Sequence, residues 1–340
     1  MADNTVRGRF VWHELLTPNK AGAHDFYSKA VGWKKQAWEH DPSYTMFAAP
    51  TGPLGASVET RDAAPQWVAY IGTPDVDATV AAATRLGAKV KTAPISLSNA
   101  GRYAVLEDPQ GAAFGIHASP TEPRPDTAAQ HGEYHWHELA TSTDPIAAFA
   151  FYKELFGWDE LGRYDMGPPG IYLLFGRNGK QIGGMFDKGK QGRPGAAHWI
   201  GYVRVPDVHA TVATVKASGG TLLSGPMEVP GDDWIAQFSD PHGALFAVLT
   251  TAKDLKAARG AKAAAPKASG AAAKPAAPKA SGAAAKPAMK AAKKAAKKKV
   301  AKKKAAKKAG KKKAKKARKK KAKRAAAKKG KAKRKSKRRR

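Results

Sequence analysis

The sequence predicts an α+β fold: two homologous domains in tandem, with helices packed outside curved antiparallel sheets, followed by a basic tail. Three observations carry this. Short patterns recur in the same order at offsets of 124 to 132 residues, strand-like and helix-like periodicities alternate within each copy, and charge divides the chain near residue 252.

The 340 residues include 61 Lys+Arg and 27 Asp+Glu. Residues 253–340 hold 40 of the basic residues and a single acid, Asp254, which leaves 21 basic against 26 acidic residues in the first 252. A net −5 body thus carries a net +39 tail, and the two need separate functional readings. The absence of Cys excludes disulfides, thiolate-bound zinc, iron–sulfur clusters and a Cys nucleophile. Any metal would need His, Asp or Glu. Residues 1–10 lack a basic segment followed by an apolar stretch, and no run approaches the ~18 apolar residues of a membrane span, so the expectation is a soluble, cytoplasmic protein with no transmembrane segment.

The repeat is specific. Trp12-His13-Glu14-Leu15 returns as Trp136-His137-Glu138-Leu139, and Phe26-Tyr27 with Gly32-Trp33 returns as Phe151-Tyr152 with Gly157-Trp158. Pro74-Asp75-Val76 returns as Pro206-Asp207-Val208, and Asp108-Pro109-x-Gly111 as Asp240-Pro241-x-Gly243. These matches define domains at 7–118 and 132–251, joined by a Pro-containing linker at 119–131.

Within the first domain, residues 9–16 alternate as a strand, with Phe10, Trp12 and Glu14 on one face and Val11, His13 and Leu15 on the other. A helix is predicted over 21–31, with Phe26, Tyr27 and Ala30 at helical spacing and Gly32 as its stop. Strands fit 44–49 and 54–59, separated by Pro50 and Gly52. The cycle restarts with a strand at 67–71, an amphipathic helix at 76–86 ended by Gly87, and a hairpin of 103–106 and 112–117 that turns at Asp108-Pro109-Gln110-Gly111. Phe26, Phe151, Val76 and Val208 read as helix residues packed on the sheet.

The strand-to-helix pattern ending in Phe-Tyr-x(4)-Gly-Trp and the Asp-Pro-x-Gly hairpin resemble the vicinal-oxygen-chelate superfamily of glyoxalases, bleomycin-resistance proteins and extradiol dioxygenases. The paired Trp-x-Glu-Leu openings resemble a tandem-domain, glyoxalase-like bacterial subgroup. The resemblance implies a βαβββ unit used twice per domain, curling into a cup for a small ligand. It does not imply one reaction.

In metal-using relatives, four cup ligands (a His on the first strand, a Glu on the fourth, a His or equivalent opening the second unit and a Glu on the last strand) hold a divalent ion for substrate chelation. Carried onto this sequence, the slots fall on Trp12, Ala56, Val68 and Gly115, and in the second domain on Trp136, Gly184, Ile200 and Ala247. None can bind a metal, so the expectation is no metal and no cofactor. Three alternatives stay open: a count that puts His137 in the first slot, a strand slip bringing Glu59 to His13 or His117, and a His135-x-His137 pair.

The remaining cup chemistry centres on Glu14 and Glu138, candidates for general base or ligand anchor, with structural carboxylates as the equal alternative. Trp12, Trp136, Trp67 and Trp199 read as core or cup wall and are candidate ligand contacts, and Arg102 and His117 are candidate polar contacts at the first cup's mouth. No nucleophile triad is visible, and Gly167-Pro168-Pro169-Gly170 lacks the lysine and flanking elements of a phosphate loop.

From Lys253 aromatics vanish, and the stretch 266–276 repeats at 278–288. Such a composition has too little apolar surface to offset the ~1–2 kcal/mol per residue of backbone ordering, so disorder is expected. It resembles the tails of linker histones and bacterial nucleoid proteins. The expected partner is DNA, bound without sequence preference through clusters such as Lys297, Lys298, Lys299, Lys302, Lys303, Lys304, Lys311, Lys312, Lys313, Arg338, Arg339 and Arg340, which would associate the protein with the nucleoid; RNA is a second candidate polyanion. Two functions result: a metal-independent small-molecule binder tethered to DNA, or a glyoxalase-like lyase acting on a small carbonyl compound.

Overall fold

The computed structural model describes residues 6–121, 127–193 and 195–264. The first domain runs β1 (Phe10–Thr17), α1 (Lys20–Val31), β2 (Lys34–Trp38), β3 (Asp41–Ala49), β4 (Gly52–Glu59), β5 (Gln66–Gly72), α2 (Val76–Arg85), β6 (Lys89–Leu97), β7 (Gly101–Glu107) and β8 (Ala113–Ala118). The second repeats the series: β9 (Tyr134–Thr141), α3 (Pro145–Phe156), β10 (Asp159–Asp165), β11 (Ile171–Arg177), β12 (Lys180–Asp187), β13 (His198–Arg204), α4 (Val208–Ala217), β14 (Thr221–Val229), β15 (Asp233–Ser239) and β16 (Leu245–Thr250). Each domain is therefore two βαβββ units. Each forms one eight-stranded sheet, ordered β2-β3-β4-β1-β5-β8-β7-β6 and β10-β11-β12-β9-β13-β16-β15-β14. The sheets are antiparallel except where the last strand of a unit returns beside its first, which makes β1–β4, β5–β8, β9–β12 and β13–β16 parallel.

Local chemistry sets the helix ends. Asn19 caps α1 by accepting from the Gly22 amide at 2.9 Å, and Asp144 does the same for α3 through Ile146. Gly32 and Gly157 end these helices in the left-handed region that a Cβ disfavours. The strands β2 and β6 escape the periodicity of the sequence. Both are sheet edges with largely exposed side chains, so neither needs an apolar face, and β6 tolerates Pro94 for the same reason.

The alternation predicted for β1 fails at its start. A bulge between Phe10 and Trp12 inserts Val11 and turns Phe10 onto the face of His13 and Leu15. The same bulge in β9, between Tyr134 and Trp136, puts Tyr134 on the face of His137. His13 then stacks on Tyr134 and His137 on Phe10, each with ring centroids 3.6 Å apart, and the two imidazoles share a hydrogen bond of 2.8 Å between their Nε2 atoms.

These rings lie between the domains, and the apolar cores cross there. One core joins the α1 side of the first domain (Phe26, Tyr27, Trp33, Phe47) to the second half of the second domain (Val208, Phe238, Phe246). The other joins the second half of the first domain (Val76, Leu106, Phe114) to the α3 side of the second (Phe151, Tyr152, Trp158, Phe175). Phe26 and Phe151 thus pack across the pair: Phe26 meets Phe246 and Phe151 meets Phe114.

The repeated motifs supply the polar bonds of this interface. Asp108 turns its hairpin with one oxygen, accepting from the Gln110 and Ala112 amides, and accepts from Tyr152 with the other at 2.9 Å. Asp240 repeats this with the His242 and Ala244 amides and with Tyr27 at 3.3 Å. Each tyrosine in turn receives an indole N–H, from Trp199 and Trp67 respectively. Trp33 donates to the Gly132 carbonyl and Trp158 to that of Gly8, again across the interface.

The body also extends beyond the boundary expected at residue 252. A fifth helix, α5 (Ala252–Ala264), starts where the tail was expected, with Asp254 and Leu255 buried. Burial alone would raise the Asp254 carboxyl, but a bidentate pair with Arg204 at 2.8 and 2.9 Å and a hydrogen bond from Thr251 outweigh it and hold the group below the usual range. The tail residues from Lys297 to Arg340 lie outside the described residues, as does 122–126 of the linker.

The buried imidazole pair makes stability pH-dependent. Burial pushes His13 down to about 3 and His137 well below its ordinary value. Below pH ~6.5 the unfolded chain binds protons that the folded pair refuses, so stability is full above that pH and falls as pH drops toward 4, by about 1.4 kcal/mol per pH unit for each imidazole. Urea midpoints should fall between pH 7 and 5, and the combined His13→Gln and His137→Gln variant should lose the pair's share of that slope, the remainder coming from His24, which burial lowers to about 4, and from His117, His135 and His198.

Candidate functional site

The face of each sheet opposite the crossed cores carries a polar cluster at its centre. In β1, Glu14 stands opposite Ala56 on β4 and Val68 on β5, and Trp12 opposite Tyr70, so all five share that face. Tyr44 from β3 donates to Glu14 Oε1 at 2.9 Å, and Tyr70 donates to Oε2 at 2.6 Å. Trp12 donates its indole N–H to the Tyr44 hydroxyl at 3.3 Å. Side chains from strands on both flanks of β1 therefore converge on one half-buried carboxylate.

The second cup has the same construction. Tyr172 and Tyr202 donate to the two oxygens of Glu138 at 2.8 and 2.6 Å, and Trp136 donates to Tyr172 at 3.3 Å. Glu138 is buried, and burial raises its carboxyl against the lowering effect of the two phenols and Arg193. Burial, then the neighbouring carboxylate, raises all four phenols, so they remain protonated donors.

Of the predicted residues, Glu14, Glu138, Trp12 and Trp136 meet in the cups. His117 joins the first cup, opposite Tyr103 on the same face; its Nε2 bonds the Ala100 carbonyl at 2.6 Å, and burial lowers its pKa. Trp67 and Trp199 do not line a cup. They stand opposite Leu15 and Leu139 on the other face, buried in the crossed cores with their N–H groups on Tyr27 and Tyr152. Arg102 is also elsewhere: it follows the core-facing parity of Ala104 and Leu106 and reaches the surface, where Asp77 holds it bidentately at 2.7 and 2.8 Å. The sequence pattern alone does not single out the tyrosines, although Tyr44 with Tyr172 and Tyr70 with Tyr202 recur in step with the repeat. A polar residue retained at an inward position of both copies was the available signal.

The donor set does not fit the divalent ion of metal-using relatives. Among the described residues no three His, Asp or Glu side chains are grouped to share an ion. The slots are also physically filled: a Cβ added at Gly115 would lie 2.2 Å from the Tyr70 ring, and one at Gly184 would lie 2.2 Å from the Tyr172 hydroxyl. One carboxylate per cup, with both oxygens occupied by phenols, lacks the charge and denticity such an ion needs. The three alternative ligand sets are not assembled. His13 and His137 bond each other between the domains, Glu59 is exposed at the end of β4, and the β9 bulge takes His135 out of step with His137. A cavity of about 10 Å³ beside the imidazole pair, lined by His13, Trp67, Tyr134 and Trp199, has room for about one water and no ligand.

Comparison with known proteins agrees with this architecture. The profile of the Glyoxalase/Bleomycin resistance protein/Dioxygenase superfamily matches residues 135–248, and that of a glyoxalase-like domain matches residues 14–117. The chain belongs to this superfamily. "Putative glyoxylase CFP32" of Mycobacterium tuberculosis (strain CDC 1551 / Oshkosh) is 29% identical over 252 residues, covering 71% of this chain and 94% of its own. Anthracycline biosynthesis protein DnrV of Streptomyces peucetius is 29% identical over 276 residues, covering 74% and 97%. Among solved structures, the Mn(II)-bound glyoxalase from Novosphingobium aromaticivorans aligns with a TM-score of 0.52 at 14% identity, covering 72% of this chain and 82% of that one. The 2,3-dioxygenase LapB from Pseudomonas sp. KL28 aligns with a TM-score of 0.52 at 12% identity, covering 72% and 93%. These structures share the fold. Among the described residues no helix is long and apolar enough to cross a membrane.

Proposed function

We propose that the protein is a metal-independent binder of small aromatic molecules bearing hydroxyl or amine donors, held on DNA by its C-terminal tail. The observation that carries the first part is the Trp–Tyr–Glu–Tyr cluster at the centre of the cup. Its indole and phenol rings give an apolar wall, and Glu14 offers its remaining lone pairs to a ligand donor. A ligand ammonium would gain both the carboxylate and the ring faces. The anthracycline biosynthesis relatives make a hydroxylated, amine-bearing aromatic the first class to test.

Binding is favoured over proton abstraction because both Glu14 oxygens already accept phenolic hydrogens. To take a proton from a substrate, Glu14 would have to surrender one of them. The second reading, a glyoxalase-like lyase, is supported by the name of the mycobacterial relative and by a half-buried carboxylate in the cup.

The second part rests on composition. A tail of net charge +39 releases counterions from the phosphate backbone, and each neutralised phosphate steepens the log–log salt dependence by about 0.9 on B-DNA. Such a tail would place the protein on the cytoplasmic nucleoid.

Calorimetry of the EDTA-treated full chain should show saturable binding of an anthracycline, weakened about tenfold or more in Glu14→Gln, because a hydrogen bond to a charged group is worth about 1.5–3 kcal/mol. Metal-dependent consumption of a methylglyoxal–thiol adduct, with no such binding, would favour the lyase instead. A chain ending at residue 264, which keeps the Asp254 anchor, should lose the low-salt DNA binding of the full chain. Retained binding would locate the DNA contact in the body.

A further inference from the structure

We infer that the two cups are not equivalent: the first accepts the ligand, and Gln237 seals the second. The inference rests on the binding reading above and deepens it.

The repeat and the strand registers align the cups residue by residue. Val105 pairs with Gly115 in the first sheet where Gln237 pairs with Ala247 in the second, and Tyr103 pairs with His117 where Ile235 pairs with Leu249. The Trp, Glu and two Tyr positions are identical in both cups, whereas these four positions differ.

In the second cup, the Gln237 amide nitrogen donates to the Tyr202 hydroxyl at 2.6 Å and to Glu138 at 3.3 Å, while its carbonyl accepts from Arg193 at 3.1 Å. The amide thus turns its donor to the carboxylate and its acceptor to the guanidinium, which satisfies both ends. Glu138 consequently accepts from three side chains and is only 7% exposed. A ligand would have to break this network and then compensate a buried carboxylate.

In the first cup, the corresponding position is the methyl surface of Val105, and Glu14 accepts from two phenols only. Tyr103 adds a hydroxyl that makes no hydrogen bond among the described residues, with its ring 6.2 Å from that of Tyr70. The cup therefore presents an acceptor at Glu14 and an unused hydroxyl at Tyr103 on an aromatic wall. That combination suits a planar molecule carrying a hydroxyl or ammonium together with a carbonyl, as a hydroxyquinone does.

Titration of the full chain with daunorubicin in a calorimeter reads the stoichiometry directly. One site per chain is expected, weakened about tenfold by Tyr103→Phe, and Gln237→Val, which copies the first cup at that position only, should open a second site that is weaker because Ile235 stands in place of Tyr103. Two sites in the unaltered chain, or one site indifferent to both Glu14→Gln and Tyr103→Phe, would overturn the assignment of the cups while leaving binding itself intact. No binding in either the unaltered chain or Gln237→Val would remove the binding reading, and this inference with it.

Discussion

The structure depends on a crossed interface in which each domain completes the other. Tyr27 of the first domain bonds Asp240 of the second, Tyr152 of the second bonds Asp108 of the first, and a buried indole donates to each tyrosine. Around these bonds the α1 side of one sheet packs on the later half of the other, so neither of the two large apolar cores is built from one domain alone; a smaller cluster of Ile200, Tyr202, Ala247 and Leu249 lies within the second domain. Removing either phenol would leave a buried carboxylate oxygen and an indole N–H without a partner, and such orphaned groups cost about 1–3 kcal/mol each.

This arrangement frees the opposite face of each sheet. Because helices and partner domain both cover one side, the other can carry polar chemistry without weakening a core, and the Trp–Tyr–Glu–Tyr clusters lie there. Strand parity enforces the division. His13 and Leu15 point into the interface while Trp12 and Glu14 point into the cup, and the Val11 bulge brings Phe10 to the interface to stack on His137. The same parity explains why the histidine beside each cup Trp is unavailable to a cup ion: it is spent on the imidazole pair between the domains.

Much of this was legible in the sequence, and the limits have physical causes. The repeat, the α1 and α2 helices, the Asp-Pro-x-Gly turns and the shared face of Trp12 and Glu14 follow from local spacing and turn chemistry, while the resemblance to the superfamily implies that this face lines the cup. Which domain an apolar face packs against does not, because Phe26 and Phe151 look alike whether their sheet is their own or their neighbour's. The strands β2 and β6 left no periodic trace since, as edges, they bury little. Trp67 and Trp199 read from the sequence as core or cup wall, because an indole suits either face, and only the register with Leu15 and Leu139 decides. Asp254, the one acid beyond residue 252, marked the end of the folded body through its ion pair with Arg204, where composition alone suggested an earlier boundary.

The crossed core is tested most directly by expressing residues 6–121 and 127–264 as separate chains and measuring circular dichroism melts together with sedimentation. The account predicts that neither half folds as a monomer: a cooperative melt appears only on mixing the halves, or when one half pairs with a second copy of itself through the same Tyr–Asp bonds, with a midpoint that rises with concentration. A half that sediments as a monomer and melts cooperatively, independent of concentration, would contradict it.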